Sequence, residues 1–346
     1  MPGTLERHAL PRLVLCCILG SVLAAPGIAS AQSQLSLVIG YPPGAIYDVY
    51  GRLVARHIGR HLSGNPTVVA QNMPGAGSLR TANYLYNVAP KDGSTIGLFA
   101  RGIAMQPLFD SAGIQFDARK FNWLGSTSAE VSVVVAAANT LFKTIADAQA
   151  REMVVSASGS GADSVIYPYV LNGVIGTKFK VVTGYPGNAD MLLAVERGEV
   201  DGNSGTSWIT LVSIKPDWVR DRKINVLLQL ATKKHRDLAA VPLAAEFAKS
   251  ESDLKVLELI LSRQDMAYPF VAPPDVPLPR IAALRAGFAA TMRDPEFLAE
   301  ATRLNLDVDP ISAEQVTAVV RKAYTMPGDV VARTKAVLEA GSAAQK

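Results

Sequence analysis

Cysteine is nearly missing from this chain: Cys16 and Cys17 are the two it has, and both fall inside its first apolar run. That leaves the rest of the sequence no disulfide framework and no cysteine metal site. Long apolar runs are equally scarce. Residues 13–25 form the longest, which falls well short of the ~20 residues a membrane-crossing helix needs. It follows Arg7 and Arg12 and precedes the small residues Ala29-Ser30-Ala31, the order of a secretory leader cleaved before Gln32. A lipid-attached cysteine would need a small residue before it and an apolar run upstream; Leu15 and the early position of Cys16 supply neither. Residues 1–31 are therefore read as a cleaved signal peptide, and the mature chain as soluble and free of disulfides.

Charge of one sign is lacking as well. Without Glu6, Arg7 and Arg12, the 34 basic and 30 acidic residues fall to 32 and 29, a formal charge of +3. No basic run with interleaved aromatics occurs, so nucleic-acid binding has no support. Histidine is confined in the mature chain to His57, His61 and His235. The first two have the i, i+4 spacing of a metal pair, but they share a helix face with arginines, and no metal site is expected. There is no Gly-x-Ser-x-Gly elbow, and Gly159-Ser160-Gly161 lacks the third glycine and trailing acid of a dinucleotide site. Ser158, Ser160 and Ser164 have no visible base to activate them. The expectation is a protein without catalytic residues or cofactor. Tandem repeats and low-complexity tails are also missing.

What the chain does have is glycine and proline at strand-to-helix turns. Tyr41-Pro42-Pro43-Gly44-Ala45-Ile46-Tyr47-Asp48 and Asn72-Met73-Pro74-Gly75-Ala76-Gly77-Ser78 each lie between an apolar strand pattern and an amphipathic helix pattern. Ser158-Gly159-Ser160-Gly161-Ala162-Asp163-Ser164 and Gly184-Tyr185-Pro186-Gly187-Asn188 repeat the style later. Such turns aim backbone N–H groups and positive helix ends at one spot, where an anion can be held without a charged side chain. Any one of them alone is a tight turn. Four in one chain suggest two facing sets of helix N termini around a cleft between two α/β lobes.

The periodicity supports that architecture. Residues 35–40, 68–71 and 95–99 read as strands, separated by helices carrying Tyr50, Leu53, Val54, His57, Ile58 and Leu62, then Leu79, Ala82, Leu85, Tyr86 and Ala89. This is βαβαβ, with ligands expected at the carboxyl ends of the strands. Arg52, Arg56 and Arg60 form a separate stripe, read as a solvated face. Strands are expected again at 132–137, 153–157, 179–183, 224–231 and 266–271, with helices at 144–151 and 246–261, and Gly198 ends the helix that carries Met191, Leu192 and Val195. The tail is expected to be helical, with Ser312 and Gln315 as a capping box for residues 316–324. At this length two domains are the default.

These residues resemble the Bug, or tripartite tricarboxylate transporter, family of periplasmic solute receptors. The resemblance rests on Pro43-Gly44-Ala45-Ile46-Tyr47-Asp48 and, most specifically, on Asn72-Met73-Pro74-Gly75-Ala76-Gly77, with Lys91-Asp92-Gly93-Ser94-Thr95, Tyr185-Pro186-Gly187, Gly198-Glu199-Val200-Asp201 and Arg236, Val241, Pro242 and Glu246 in the family's order. It implies an α/β type II periplasmic-binding-protein fold, with two lobes around a central cleft that close on a small carboxylate and present it to a permease. The first lobe is expected at residues 32–131 plus 269–346 and the second at 132–268, with hinge candidates near Ser132 and Met266. The implied partners are a small carboxylate-type solute and membrane permease subunits, the implied state a monomer and the implied compartment the periplasm. A sensing partner of a membrane signalling protein shares the same fold and cleft, and a periplasmic hydrolase is the remaining alternative.

Carried over by position, the resemblance puts the ligand loop at Gly44, Ala45, Ile46 and Asp48, with Asn72, Gly75, Ala76 and Gly77 beside it. The other end of the ligand would meet Ser158, Gly159, Gly161, Ala162, Asp163 and Ser164, with Tyr185, Gly187 and Asp201 nearby. Asp48 reads as a residue that orients N–H groups or a water, as an acceptor for a ligand amine or hydroxyl, or as a simple helix N-terminal acid. Departures from the family pattern are Ala45 for glycine, Ala162 for a small hydroxyl residue, and Asp163, an acid placed to repel an incoming dicarboxylate. Arg101 either points into the cleft as a clamp or lies on a solvent-facing turn.

Overall fold

The computed structural model describes residues 1–3, 34–110, 112–159 and 162–344, and the fold lies in the unit Gln32–Lys346. The leader reading at residues 4–31, and Gly161 among the expected ligand contacts, lie outside the described residues. The first sheet holds β1 (Gln34–Ile39), β2 (Thr67–Asn72), β3 (Thr95–Leu98), β4 (Asn122–Ser126), β10 (Pro269–Ala272) and β11 (Ile311–Ser312). The second holds β5 (Ser132–Ala137), β6 (Met153–Ser156), β7 (Phe179–Val182), β8 (Gly202–Ser207) and β9 (Ile224–Leu230). The helices are α1 (Ile46–Ile58), α2 (Leu79–Asn87), α3 (Ile145–Ala150), α4 (Asp163–Val174), α5 (Asn188–Glu196), α6 (Trp208–Ile214), α7 (Pro216–Arg220), α8 (Glu251–Leu261), α9 (Leu278–Thr291), α10 (Pro295–Arg303), α11 (Ala313–Tyr324) and α12 (Gly328–Ala343).

The strand order of the first sheet is β2-β1-β3-β10-β4-β11. β1 runs parallel to both neighbours, with Leu37 opposite Ala70 on one side and Ile96 on the other, and β10 inserts antiparallel between β3 and β4. The second sheet runs β7-β6-β8-β5-β9, with β5 antiparallel between β8 and β9. Parallel strands must be joined by crossovers, so helices cover the faces and both sides of the sheet are apolar. Leu35, Leu37 and Ile39 of β1 pack with Tyr50, Leu53, Val54 and Ile58 of α1 and with Ile281, Leu284 and Phe288 of α9.

Sheet membership changes between Ser126 and Ser132, and back again between Leu230 and Pro269. The two crossing segments pair with each other. Glu130 N–H donates to Gln264 O at 2.9 Å, Ala267 N–H to Ser128 O at 3.0 Å, and Tyr268 N–H to Ser126 Oγ at 3.0 Å. One apolar cluster runs past these crossings, taking in Val38 and Trp123 of the first sheet, Val134 and Val155 of the second, and Val256, Leu259 and Val320 of the covering helices.

Three expectations are corrected. The tail does not stay with the first sheet, because α12 packs against α4 and α8. Gly173 and Gly341 allow it: a Cβ at Gly173 would lie 2.6 Å from Val337, and one at Gly341 would lie 2.3 Å from Tyr169. The arginine stripe on α1 is not merely solvated, since Arg56 meets Glu300 at 2.8 Å, Arg60 meets Asp294 at 2.9 Å, and Arg52 meets Asp48 at 2.8 Å. The helix expected over 246–261 begins as α8 only at Glu251, because Ser250 caps it through the Asp253 N–H.

Candidate ligand cleft

Four helices follow the four glycine-bearing turns, and all four start without a side-chain cap: α1 after Ala45, α2 after Ser78, α4 after Ala162 and α5 after Gly187. Elsewhere Ser207, Ser250, Asp294 and Ser312 cap α6, α8, α10 and α11, Asp147 accepts from Thr144 N–H at α3, and α7 and α9 start with proline in the first turn, whereas α12, after Pro327, also starts without a side-chain cap. An uncapped helix start leaves up to four N–H groups seeking an acceptor. Here the turns lie at the carboxyl ends of β1, β2, β6 and β7, where an α/β sheet receives its ligand.

The two first-sheet turns are held as one piece. Asp48 accepts from Gly44 N–H at 2.8 Å, from Arg52 Nε at 2.8 Å and from Asn72 Nδ2 at 2.7 Å. Asn72 also donates to Tyr41 O at 2.8 Å and accepts from Arg52 Nη2 at 2.7 Å. Burial raises the Asp48 carboxyl, but the bonds from Arg52, Asn72 and Gly44 outweigh it and hold the group below its usual 3.8. Asp48 is thus engaged within its own chain and locks the loop that begins α1. The second turn keeps Gly75, Ala76, Gly77 and Ser78 all at positive φ, with Ala76 at 45° and Ser78 at 80°. Non-glycine residues there carry backbone strain of order 1 kcal/mol each, a feature that clusters at ligand sites. Ser78 is fixed by its hydroxyl, which donates to Gly40 O at 3.0 Å. At Gly44 and Gly77 a Cβ would meet nothing within 4 Å, so both backbones are open to an approaching group.

Arg101, just past β3, is buried rather than solvent-facing. Its Nε and Nη2 donate to Asp163 Oδ2 at 3.1 and 2.7 Å, and its Nη1 pairs with Glu130. Arg263, buried in the second crossing, donates from Nη1 to Asp163 Oδ1 at 3.1 Å and from Nε to Ile260 O at 2.8 Å. A first-sheet arginine and the first residue of α4 are therefore in direct contact. Burial raises the Asp163 carboxyl, yet Arg101 and Arg263 more than offset it and hold it below its usual 3.8. Tyr268 donates to Glu130 Oε1 at 3.1 Å and stacks on Tyr50 and against Tyr47, while Tyr41 stacks on Tyr47 with ring centres 4.4 Å apart. The Tyr47 hydroxyl accepts from Arg101 N–H at 3.3 Å, and burial and the Asp163 charge push the Tyr41 phenol up to about 12.

In the second layer, Ser158 N–H donates to Ser164 Oγ at 3.2 Å, and Gly159, Gly184 and Gly187 face open space. Tyr185 packs into the apolar cluster of Leu192, Trp208 and Trp218. Asp201 is not brought to this end. It precedes β8, and its carboxylate accepts Val154 N–H at 2.8 Å near the start of β6, at the opposite end of the parallel strands from the turns. Ile46 lies at the start of α1 and packs against the first-sheet core. The sequence reading missed Glu130, Arg263, Tyr41 and Ser78. Two of these carried a usable signal: Glu130 and Arg263 are charges beside the expected crossings at Ser132 and Met266.

Cavities of about 480 Å³ beside Arg56, Arg60 and Glu300, and of about 380 Å³ between α4 and α12, touch none of the four turns. Among the described residues no group of three or more His, Cys, Asp or Glu is placed to hold a metal ion, and no helix is long and apolar enough to cross a membrane.

Two α/β sheets with two crossings and open helix starts at their meeting edge define a two-lobed binding protein of the type II periplasmic-binding-protein fold. The chain belongs to the tripartite tricarboxylate transporter receptor family, whose pattern matches residues 51–339. The fold agrees with solved structures. A TctC solute-binding protein from Polaromonas, solved without ligand, superposes with a TM-score of 0.66 at 18% identity over 89% of this chain and 98% of that one. The Rhodopseudomonas palustris protein MatC with bound malate gives 0.61 at 17% identity over 88% and 98%. The R. palustris protein Rpa4515 with adipate gives 0.62 at 17% over 89% and 97%. None of the curated proteins matches the sequence.

Proposed function

We propose that the chain is a periplasmic receptor that captures a small carboxylate-bearing solute between two lobes, residues 32–131 plus 269–346 and residues 132–268, with α12 of the first reaching over to pack on the second, and delivers it to a permease of the tripartite tricarboxylate class. The observation that carries this reading is the set of four uncapped helix starts at the meeting edge of the two sheets, in a chain whose other helices mostly carry caps or begin with proline. At α2 the Leu79 and Arg80 N–H groups already donate to Ala76 O and Gly75 O; at the other starts a carboxylate supplies the acceptors that free N–H groups lack, directly or through ordered water. Gly44, Ala45, Asn72 and Gly77 border one end of the solute, and Ser158, Ala162 and Ser164 the other. Malate and adipate in family structures support a carboxylate as the solute class.

The mechanism is closure by population shift. A solute that touches both lobes favours the closed form by its differential affinity, and the closed surface is what the permease reads. The paired crossing segments around Ser128, Glu130 and Gln264 are the proposed hinge.

A thermal-shift screen against mono-, di- and tricarboxylates and aromatic acids tests the reading. A solute present at 100 times its dissociation constant adds about 2.7 kcal/mol of stability, so a hit confined to acids is the expected outcome. Folded protein, freed of co-purified ligand, that responds to no acid but to an uncharged solute would overturn it.

A further inference from the structure

Asp163 stands where an anion would be most at home in the second layer. It is the first residue of an uncapped twelve-residue helix, and it accepts from Arg101 at 2.7 and 3.1 Å and from Arg263 at 3.1 Å. Both guanidinium groups are buried; the remaining Arg101 nitrogen pairs with Glu130, and Arg263 Nε donates to Ile260 O. Two guanidinium charges thus face two carboxylate charges, and the cluster is formally neutral without any ligand. Tyr47 accepts from Arg101 N–H at 3.3 Å and Tyr41 stacks on Tyr47, so two aromatic rings adjoin the cluster.

We infer that Asp163 serves as a built-in second carboxylate, so that the solute of this cleft carries a single negative charge, bound at the first-lobe turns, with an uncharged remainder directed toward Asp163 and the tyrosines. This rests on the receptor reading above and narrows its solute class to monocarboxylates. A dicarboxylate would bring its second charge to a site whose guanidinium charges are already matched by its own acids, leaving a buried charge without a partner. The first-lobe turns carry no such obstacle, because the charge of Asp48 is matched there by Arg52. Removing the acid while keeping its shape leaves two buried arginines short of an anion, which a dicarboxylate supplies.

Calorimetric titration of the purified chain and of Asp163→Asn, with monocarboxylates of four to eight carbons and benzoate, each paired with the dicarboxylate and, for the aliphatic acids, the ω-amino acid of the same skeleton, tests this. The wild type is expected to bind at least one monocarboxylate tenfold or more tightly than its paired dicarboxylate. Asp163→Asn is expected to shift that ratio at least tenfold toward the dicarboxylate, by a margin that shrinks as salt is added. Asp163→Ser replaces the asparagine variant if that one fails to fold, and the wild-type preference is read independently of both. A wild type that favours the dicarboxylate, an unchanged ratio in the variant, or a preference for the matched ω-amino acid overturns the inference and leaves the receptor reading standing. No binding of any pair to either form overturns both.

Discussion

Asp48 turns its carboxylate on its own chain, and that decides what its loss does. Asp48→Asn keeps the shape but weakens the bonds from Gly44 N–H and Arg52, at about 2 kcal/mol for charge-assisted hydrogen bonds. Because the folded carboxyl is held below 3.8, its contribution is present above that value and is lost as pH falls through the lower folded value. The expected outcome is a Tm deficit for Asp48→Asn at pH 7 that narrows below pH 4, with a severalfold weaker affinity for the identified solute at neutral pH. A deficit that persists at pH 3, or unchanged affinity, counts against the locking role. Gly77→Val tests the neighbouring turn. Its φ of 61° excludes a β-branched residue without strain, and its Cβ would project into open space rather than protein. Binding is expected to vanish while Tm falls by only a few degrees; retained binding would move the solute elsewhere. At this scale the sequence disclosed the turns, because glycine and proline announce backbone geometry. It left open whether Arg101 faced inward, since an arginine's direction depends on acids 29 and 62 residues away.

Among the elements, those with a clean apolar period were readable and those without were not. β1 and β5 are apolar but for Gln34, Ser36 and Ser132, while β8 is Gly-Asn-Ser-Gly-Thr-Ser and gave no strand signal, yet it lies inside the second sheet between β6 and β5. Its polar side chains are largely bonded inside the sheet: Asn203 donates to Ser156 O of β6 at 3.0 Å and accepts from Thr206 Oγ1 at 2.6 Å, while Ser204 Oγ is buried without a hydrogen-bond partner. Small residues are required there by crowding that only the folded sheet creates. A Cβ at Gly202 would lie 2.0 Å from Val135 O and 2.6 Å from Met153 Cε. Gly202→Ala is therefore expected to cost about 3 kcal/mol or more, since backbone cannot yield as a side chain does. Gly187→Ala, with an extended φ of −172° and nothing within 4 Å, is expected to change stability by less than about 0.5 kcal/mol. Chemical denaturation of the pair checks both, and similar midpoints would contradict the packing argument. β4 escaped notice for a related reason: Asn122, Gly125 and Ser126 interrupt its apolar pattern, and Gly125 is needed where Phe288 would lie 2.6 Å from a Cβ.

For the whole molecule, the pattern of strands forecast two sheets but not the element that ties them. α11 packs on β4 of the first sheet, and α12, directly after it, packs on α4 and α8 of the second. The last helix therefore straps one layer to the other, on the same helix that carries Asp163 at its start. Arg333 of α12 pairs with the buried Asp253 of α8, and Tyr169 of α4 lies against Gly341. Together with the apolar cluster that runs past the crossings, this argues that the two layers unfold as one unit. Calorimetry is expected to give a single transition with matching calorimetric and van't Hoff enthalpies. Gly341→Val, which forces α12 away from Tyr169, is expected to lower Tm and broaden or split that transition, because the strap is lost while each sheet keeps its own covering helices. A wild type that already melts in two steps would show that the shared core does not couple the layers, and closure would then rest on the crossing segments alone.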